Sequence, residues 1–358
     1  MRSKVGILMV GSSTKVKGGM TTVVQSFLQH HFSAPIKLTY IATHSERGKL
    51  YNSLFFTKSL IRIFFHLIIK RPIIVHVHMS ERGSFVRKYI IFRMAKTLRK
   101  KVFVHTHGAE FKEYYLSAST VIQKMITGML KNADKIIALG ESWEKTLLQI
   151  EPKASTAVLM NSVPIPVNSG RAPDQTFFSI LFLAVLIQRK GILDLITASA
   201  QVIQEAKKQR RQVIFHIAGD GELMKRAKKL VADYGLSDSY RFYGWIGEQQ
   251  KKELLFNADL FVLPSYNEGL PMSILEALSY GIPIISTKVG SINEAVIEGE
   301  NGYLIEAGDI QALASRMLDI MNSPSSNEMR IASRKLAEDK FSDKQYFEQV
   351  EEMYMNSL

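Results

Sequence analysis

The chain has 358 residues, enough for about two ordinary domains. Its 46% hydrophobic and 22% charged residues are those of a soluble globular protein, and the absence of cysteine excludes disulfides, thiolate-ligated zinc and a thiol nucleophile. The formal charge of +13 is uneven: residues 1–170 carry 25 Lys and Arg against 8 Asp and Glu, and the remainder is mildly acidic, which points to an anionic surface beside the first half, whether membrane lipid, a phosphorylated acceptor or nucleic acid.

In chain order, residues 4–11 form an apolar run that predicts a buried strand. The start MRSKVGILMVGSS is not expected to be a signal peptide, because its apolar core is short and runs into a Gly/Ser turn, then Lys15 and Lys17. The loop SSTKVKGGM leads into a predicted helix over 21–31. Gly18 and Gly19 suit close approach to a phosphate, although the Gly-Lys-Ser/Thr of a P-loop does not follow. Further strands are predicted at 37–42, 73–79, 102–107, 135–139 and 156–160, mostly separated by helix-length segments. That alternation describes a parallel sheet covered on both faces, whose ligands bind beyond the carboxyl ends of the strands.

His76 and His78 share one strand face, as do His105 and His107. No carboxylate or cysteine lies at ligand spacing, so hydrogen-bonded strand histidines are expected rather than a metal site. Residues 54–71 are apolar and long enough to span a bilayer. Lys58, Arg62, His66 and Lys70 recur every four residues as one stripe, which argues against spanning. A second basic run over 82–101 carries Arg87, Lys88, Arg93, Lys96, Arg99, Lys100 and Lys101. Two readings stay open for these segments: a helix packed on the sheet with a solvated basic side, or an interfacial membrane helix.

NSVPIPVNSGRAPDQ, rich in Pro, Ser and Asn, reads as an interdomain linker. Six more strands are predicted at 179–186, 213–218, 240–245, 260–263, 283–287 and 302–305, with helical patterns such as 223–234 between them. This is a second doubly wound α/β domain. The domain division expected is 1–165, 166–340 and a last helix within 341–358. Arg189 and Lys190 follow the first strand of the second domain, where a basic pair at a helix start makes sense beside a bound anion. In PSYNEGLPMSILEALSYG a strand ends, Glu268 sits in the turn and Glu276 lies in the following helix. Pro271 suits the first helical position, and backbone N–H groups around Gly269, Leu270, Met272 and Ser273 would form an anion-binding nest.

The stretch EGLPMSILEALSYGIPIISTKVGSINEAV resembles the Glu-x7-Glu signature of retaining glycosyltransferases of family 4, of the bacterial surface-polysaccharide type. RKG, AGDGE, YGWI and ENGYLIEAGD extend the resemblance around it, and GGM, HVHMSERGSF and HTHGAEF carry it into the first half. The resemblance implies the GT-B fold, two Rossmann-like domains facing across a cleft, with the last helix crossing back to the first domain. It implies a nucleoside-diphosphate sugar donor, a UDP- or GDP-sugar. Lys190, with Arg189 beside it, and the Gly18-Gly19 loop would serve the diphosphate, and Glu276 the ribose. Glu268 would serve the sugar hydroxyls and the anomeric carbon, and His107 would position the sugar. Gly219 and the backbone at Trp245 and Ile246 would approach the sugar and base, with a buried core tryptophan as the competing reading at Trp245. Glu110 reads equally as a helix-start carboxylate or a ligand contact. One departure stands out: Val185 occupies the position of a family arginine, for which Arg189 or Gln188 would substitute, or the donor is held weakly, or activity is lost.

The function expected is transfer of a sugar with retention to a lipid-linked or other anionic acceptor, by an enzyme peripheral on the cytoplasmic membrane face. No Asp-x-Asp motif occurs, which agrees with a metal-independent reaction. Two other classes stay open: a nucleotide-sugar epimerase or hydrolase, and a non-catalytic anion-binding protein with a vestigial donor site. Nucleic acid is not expected as a partner, since no known module or interleaved aromatic platform is present.

Overall fold

The computed structural model of the protein describes residues 5–16, 18–170, 177–323 and 326–357. Lys17 of the glycine loop and residues 171–175 of the predicted linker lie outside them. Two compact units result: Met1–Asn161 with Lys344–Leu358, and Ser162–Asp343.

Unit 1 contains six strands, β1 (Val5–Gly11), β2 (Ile36–Ala42), β3 (Ile74–Met79), β4 (Lys101–Thr106), β5 (Lys135–Ala138) and β6 (Thr156–Val158). They pair in parallel in the order β2-β1-β3-β4-β5-β6. Unit 2 contains β7 (Phe177–Leu183), β8 (Gln212–Ala218), β9 (Tyr240–Gly244), β10 (Leu260–Leu263), β11 (Ile284–Thr287) and β12 (Gly302–Ile305). These pair in parallel in the order β12-β11-β10-β7-β8-β9. The strand order reverses between β1 and β3 in unit 1 and between β7 and β10 in unit 2. In open α/β sheets that reversal opens a crevice at the carboxyl ends of the two strands, where ligands bind.

Every residue of β3, β10 and β11 is buried. Helices cover both faces of such strands, so their sequences read as continuous apolar runs rather than alternating ones. In unit 1 the odd residues of β3, Val75 and Val77, join a core with Phe85, Ile91 and Phe92 of helix Gly83–Thr97 and Ile63 and Leu67 of helix Lys49–Ile69. The even residues, His76 and His78, face Phe27 of helix Gly19–Gln29, each at 5.4 Å between ring centroids. Helix Asp343–Met355 closes that face: Tyr346 and Phe347 pack edge-on against Phe27, and Tyr354 bonds His76 Nδ1 at 2.5 Å. A fully buried side chain of this size contributes about 1.5–3 kcal/mol, so the last helix is anchored by a few aromatics.

Helix Lys49–Ile69 buries only Ser59, Ile63 and Leu67. It exposes Leu54 (59%), Ile61 (53%), Phe65 (55%) and Ile69 (66%), whose spacing puts them on one side with Lys58 and Arg62 among them. By length and composition it is a helix that could cross a membrane. In the run 82–101 one residue fits neither a solvated basic side nor an interfacial one. Lys88 shares a helix face with Phe85, Ile91, Phe92 and Ala95 and is wholly buried.

Candidate active site

A charged and hydroxyl-bearing cluster of unit 2 lies at its strand-order reversal. After β7 the chain forms a short turn, Gln188–Lys190, before helix Ile192–Lys208. After β10 it runs through Ser265 to Glu268. The Lys190 ammonium pairs with Glu268 Oε1, and Ser265 Oγ donates to the same oxygen at 2.8 Å. Arg189 donates to the Asn267 carbonyl at 3.1 Å and lies 4.0 Å from Glu268 Oε2. Burial pulls the Lys190 pKa down, and the Glu268 carboxylate partly offsets it. Two glycines allow the approach. Gly191 has φ +71, and a Cβ there would overlap the Pro264 carbonyl at the end of β10. Gly290 has φ +57, and a Cβ would overlap the carbonyls of Glu268 and Gly269. A side chain at either position would push the two loops apart.

Helix Met272–Ser279 starts four residues beyond Glu268. Pro271 is its N-cap rather than its first helical residue. Its ψ of 126° is extended, and its carbonyl accepts from Ile274 and Leu275 at 3.2 and 3.4 Å. The N–H groups of Met272 and Ser273 have no partner among the described residues, as expected for a first turn, where the helix dipole adds positive potential. Glu276 is held separately. Lys251, from helix Glu248–Asn257, reaches it at 2.6 Å and also bonds Glu248 at 3.0 Å. Burial raises the Glu276 pKa, and Lys251 offsets part of that. Both glutamates therefore have ammonium partners. Lys190 is not solvated: its counter-ion in this structure is Glu268.

Gly219 ends β8 and donates to the Gly244 carbonyl at 2.8 Å, and Leu186 donates to the Asp220 carbonyl at 3.0 Å, which ties the ends of β7, β8 and β9 together. Trp245 follows β9 and is 47% exposed, so it is not a core tryptophan. Ile246 is half-buried, and Leu270 is buried. Val185 is half-buried, and the arginine of this region is Arg189, three residues before the start of the following helix.

In unit 1, Gly18 is the N-cap of helix Gly19–Gln29 and its carbonyl accepts from Thr21 and Thr22. His107 follows β4, and its Nε2 pairs with His78 Nδ1 at 2.8 Å. Burial drives its pKa down to about 3, so the imidazole is neutral. His76, His78 and His105 bring ring nitrogens within 4.8 Å of one another. Their rings stack instead of converging: His76 and His78 lie 4.7 Å apart at 12°, and His78 and His107 lie 5.1 Å apart at 15°. Stacked rings aim their in-plane lone pairs side by side. Glu110 caps helix Phe111–Ser117 without a side-chain capping bond; its N–H binds Glu81 at 2.6 Å, and its carboxylate pairs with Arg82 at 3.3 Å.

Sequence reasoning did not find Ser265, Lys251, Glu81 or Gly290. Ser265 carried a usable signal, three residues before Glu268 in the same turn. Lys251 lies in GEQQKKELL, which looks like any solvated helix face.

The family described as "Glycosyl transferases group 1" matches residues 169–336, which span this cluster. Residues 169–336 therefore carry the domain of that family. It is 28% identical over 262 residues to the amylovoran biosynthesis glycosyltransferase AmsK of Erwinia amylovora, covering 68% of this chain and 60% of that protein. The chain thus spans about three-fifths of that relative's length. It is 27% identical over 321 residues to an Escherichia coli UDP-Gal:alpha-D-GlcNAc-diphosphoundecaprenol alpha-1,3-galactosyltransferase, covering 84% of this chain and 80% of that one. The crystal structure of HepE from Anabaena, in complex with UDP-glucose, superposes with a TM-score of 0.75 at 18% identity, covering 99% of this chain and all of that one. The two units therefore have the GT-B fold.

Proposed function

We propose that this protein is a retaining glycosyltransferase of polysaccharide biosynthesis that moves a sugar from a nucleoside-diphosphate sugar, a UDP- or GDP-sugar, to a lipid-linked, phosphate-bearing acceptor. The observation that carries the reading is the Lys190–Glu268 pair at the reversal of β7 and β10, beside a helix start with unpaired N–H groups. A diphosphate leaving group needs positive potential where its charge develops. Lys190, Arg189 and the N–H groups near Gly269, Leu270, Met272 and Ser273 supply it, with the Gly18-Gly19 loop as a further donor. Glu276 accepts from the ribose diol, and the backbone near Gly219, Trp245 and Ile246 holds sugar and base. Glu268 accepts from sugar hydroxyls and stabilises positive charge at the anomeric carbon, and neutral His107 positions the sugar. In a front-face transfer the bond from the anomeric carbon to the phosphate oxygen breaks. The acceptor oxygen bonds to the same face, and its proton passes to the departing phosphate. No metal or other cofactor is required.

The relative named for UDP-Gal and a diphosphoundecaprenol acceptor supports the donor and acceptor classes. The apolar and basic exposed side of helix Lys49–Ile69 supports peripheral binding at the cytoplasmic membrane face. The test is a nucleotide-release screen over UDP- and GDP-sugars with a polyprenyl-diphosphate-linked sugar as acceptor. One donor is expected to be turned over in EDTA as in Mg²⁺, with the α-configured donor giving an α-linked product. Glu276→Gln is expected to weaken donor affinity by roughly 10-fold, the scale of one charge-assisted hydrogen bond. Failure to bind any nucleotide sugar overturns the reading.

A further inference from the structure

Unit 1 also carries a charged cluster at its strand-order reversal, and nothing in the donor site uses it. Lys88 is wholly buried, and its Nζ has one partner, Thr43 Oγ1 at 2.5 Å. That hydroxyl spends its own proton on the Gly11 carbonyl at 2.9 Å, at the end of β1. An ammonium has three N–H donors, so two are left without a partner. No carboxylate pairs with Lys88 or with Arg87 among the described residues. Arg87 is half-buried, and its Nε has no partner. His44 follows β2 and donates nothing from its buried Nδ1, which is also unpartnered; its backbone carbonyl accepts from Ser13 at 2.8 Å. The three residues are neighbours: Lys88 Nζ reaches Thr43, the residue before His44, and Arg87 precedes Lys88 on its helix; burial, then Arg87 and Lys88, lower the His44 pKa, and Arg87 adds to the burial that holds Lys88 at about 7. Helix Gly83–Thr97 and the loop after β2 thus hold two cations and an imidazole side by side, Lys88 at the buried end and Arg87 and His44 at the half-exposed end.

Folding alone gives no reason for this arrangement. A buried cation without a counter-charge destabilises a protein, and an apolar side chain of the same length does better. An anion that bound there would satisfy the two open N–H groups of Lys88, the Arg87 Nε and His44 at once.

We propose that His44, Arg87 and Lys88 form an oxyanion site for a phosphate ester, the phosphate carried by the acceptor. The assignment rests on the reading of the protein as a transferase with a phosphate-bearing acceptor, and it names where that phosphate sits. The ester could be a lipid phosphate or a soluble sugar phosphate, and the experiment separates them.

The full-length protein, held in saturating UDP to fill the nucleotide site, is titrated calorimetrically with inorganic phosphate, glucose 1-phosphate and farnesyl phosphate. Wild type is expected to bind the phosphate compounds, and Lys88→Met to bind them at least 10-fold more weakly. Farnesyl phosphate binding tighter than glucose 1-phosphate assigns a lipid acceptor; the reverse assigns a soluble one. In phosphate-free buffer Lys88→Met is expected to melt above wild type, because the buried charge is gone. Arg87→Gln, at a half-exposed position, provides a second variant and is expected to weaken phosphate binding as well. The proposal is overturned if wild type binds no phosphate compound, if either folded variant binds as wild type does, or if Lys88→Met melts lower. A wild type that binds phosphate but not UDP breaks the donor reading and leaves this site standing.

Discussion

Each unit places cations near the strand-order reversal of its sheet, but the two treat them differently. At the reversal of unit 2, Lys190 is matched by Glu268, and nearby Lys251 is matched by Glu276 and Glu248. At the reversal of unit 1, Lys88 has a hydroxyl and Arg87 has no counter-ion. Matched charges keep a site ordered and nearly neutral, so that a ligand takes over bonds that the protein already makes. Unmatched charges store an attraction that only a ligand satisfies. The histidines extend the contrast. His105 in unit 1 is buried with neither ring nitrogen bonded, whereas His216 in unit 2 bonds the Tyr243 hydroxyl at 2.7 Å.

The largest expected effect comes from breaking a match. Lys190→Ala leaves the Glu268 carboxylate buried beside Ser265 without its ammonium. Losing one partner of a buried pair costs about 3–5 kcal/mol, and losing an electrostatic donor to the leaving group lowers turnover roughly 10²-fold or more. Lys190→Met combined with Glu268→Leu is expected to recover most of the melting temperature and none of the turnover. A single variant that melts and turns over like wild type would show that the pair is incidental.

Next in size is the basic and apolar side of helix Lys49–Ile69. Each Lys or Arg near an anionic bilayer contributes about 1 kcal/mol, within a Debye length of about 8 Å. Replacing Lys58, Arg62 and Lys70 by Ser should therefore lower partition onto anionic vesicles roughly 10²-fold, and added salt should lower it for wild type. Under the proposed function UDP affinity should stay unchanged, because none of the three residues belongs to the proposed donor site. Wild-type protein that ignores anionic vesicles at low salt would return this helix to the simpler reading, a packed helix with a solvated basic side.

How much of this contrast could be read from the sequence depends on how local each feature is. The twelve strands are visible because buried parallel strands are continuous apolar runs, and the shortest, β6, differs from its prediction by only two residues at one end. Glu268 and Glu276 stand out because a turn and a helix start lie within one stretch. Lys251, the partner of Glu276, does not, since it arrives from a separate helix, and Lys88 sits among seven other basic residues of its run. Pro271 shows a different limit. A proline before a helix suits either the cap or the first position, and only its ψ decides. Tyr354 and His76 are 278 positions apart, a distance at which no spacing rule operates.

A smaller effect per group comes from acid. Burial holds His76 and His107 near pKa 3 and His78 and His105 well below the ordinary 6.5. Below pH 6.5 the unfolded chain takes up histidine protons that the folded unit 1 refuses, so the contribution of these histidines to its stability is lost from about pH 6.5 toward 3 and is constant above. Glu276 works in the opposite sense in unit 2, because its raised pKa lets the folded state bind a proton first. The two tryptophans report separately: Trp143 is buried in unit 1, with Nε1 bonded to Thr106 at 3.0 Å, and Trp245 is half-exposed in unit 2. In single-tryptophan variants, Trp143 should lose its native signal at a higher pH than Trp245. The reverse order would mean that the histidine face does not set the acid limit.

The smallest effect isolates one bond of that face. Tyr354 is wholly buried, and burial holds its pKa well above 10, so its hydroxyl keeps its proton and shares a hydrogen bond with His76 Nδ1. His76 Nε2 has no partner, and this is therefore the ring's one hydrogen bond. Tyr354→Phe keeps the ring and its packing on His76 and Phe103 while removing the hydroxyl. His76 then becomes like His105, buried with both nitrogens open. An unsatisfied buried ring nitrogen costs about 1 kcal/mol or somewhat more, which for a unit of this size lowers the melting temperature by roughly 2–4 °C. The loss should appear in the Trp143 signal and not in that of Trp245, and UDP affinity should not move. If Tyr354→Phe melts as wild type does, this hydrogen bond contributes nothing, and the aromatic contacts alone hold the last helix against unit 1.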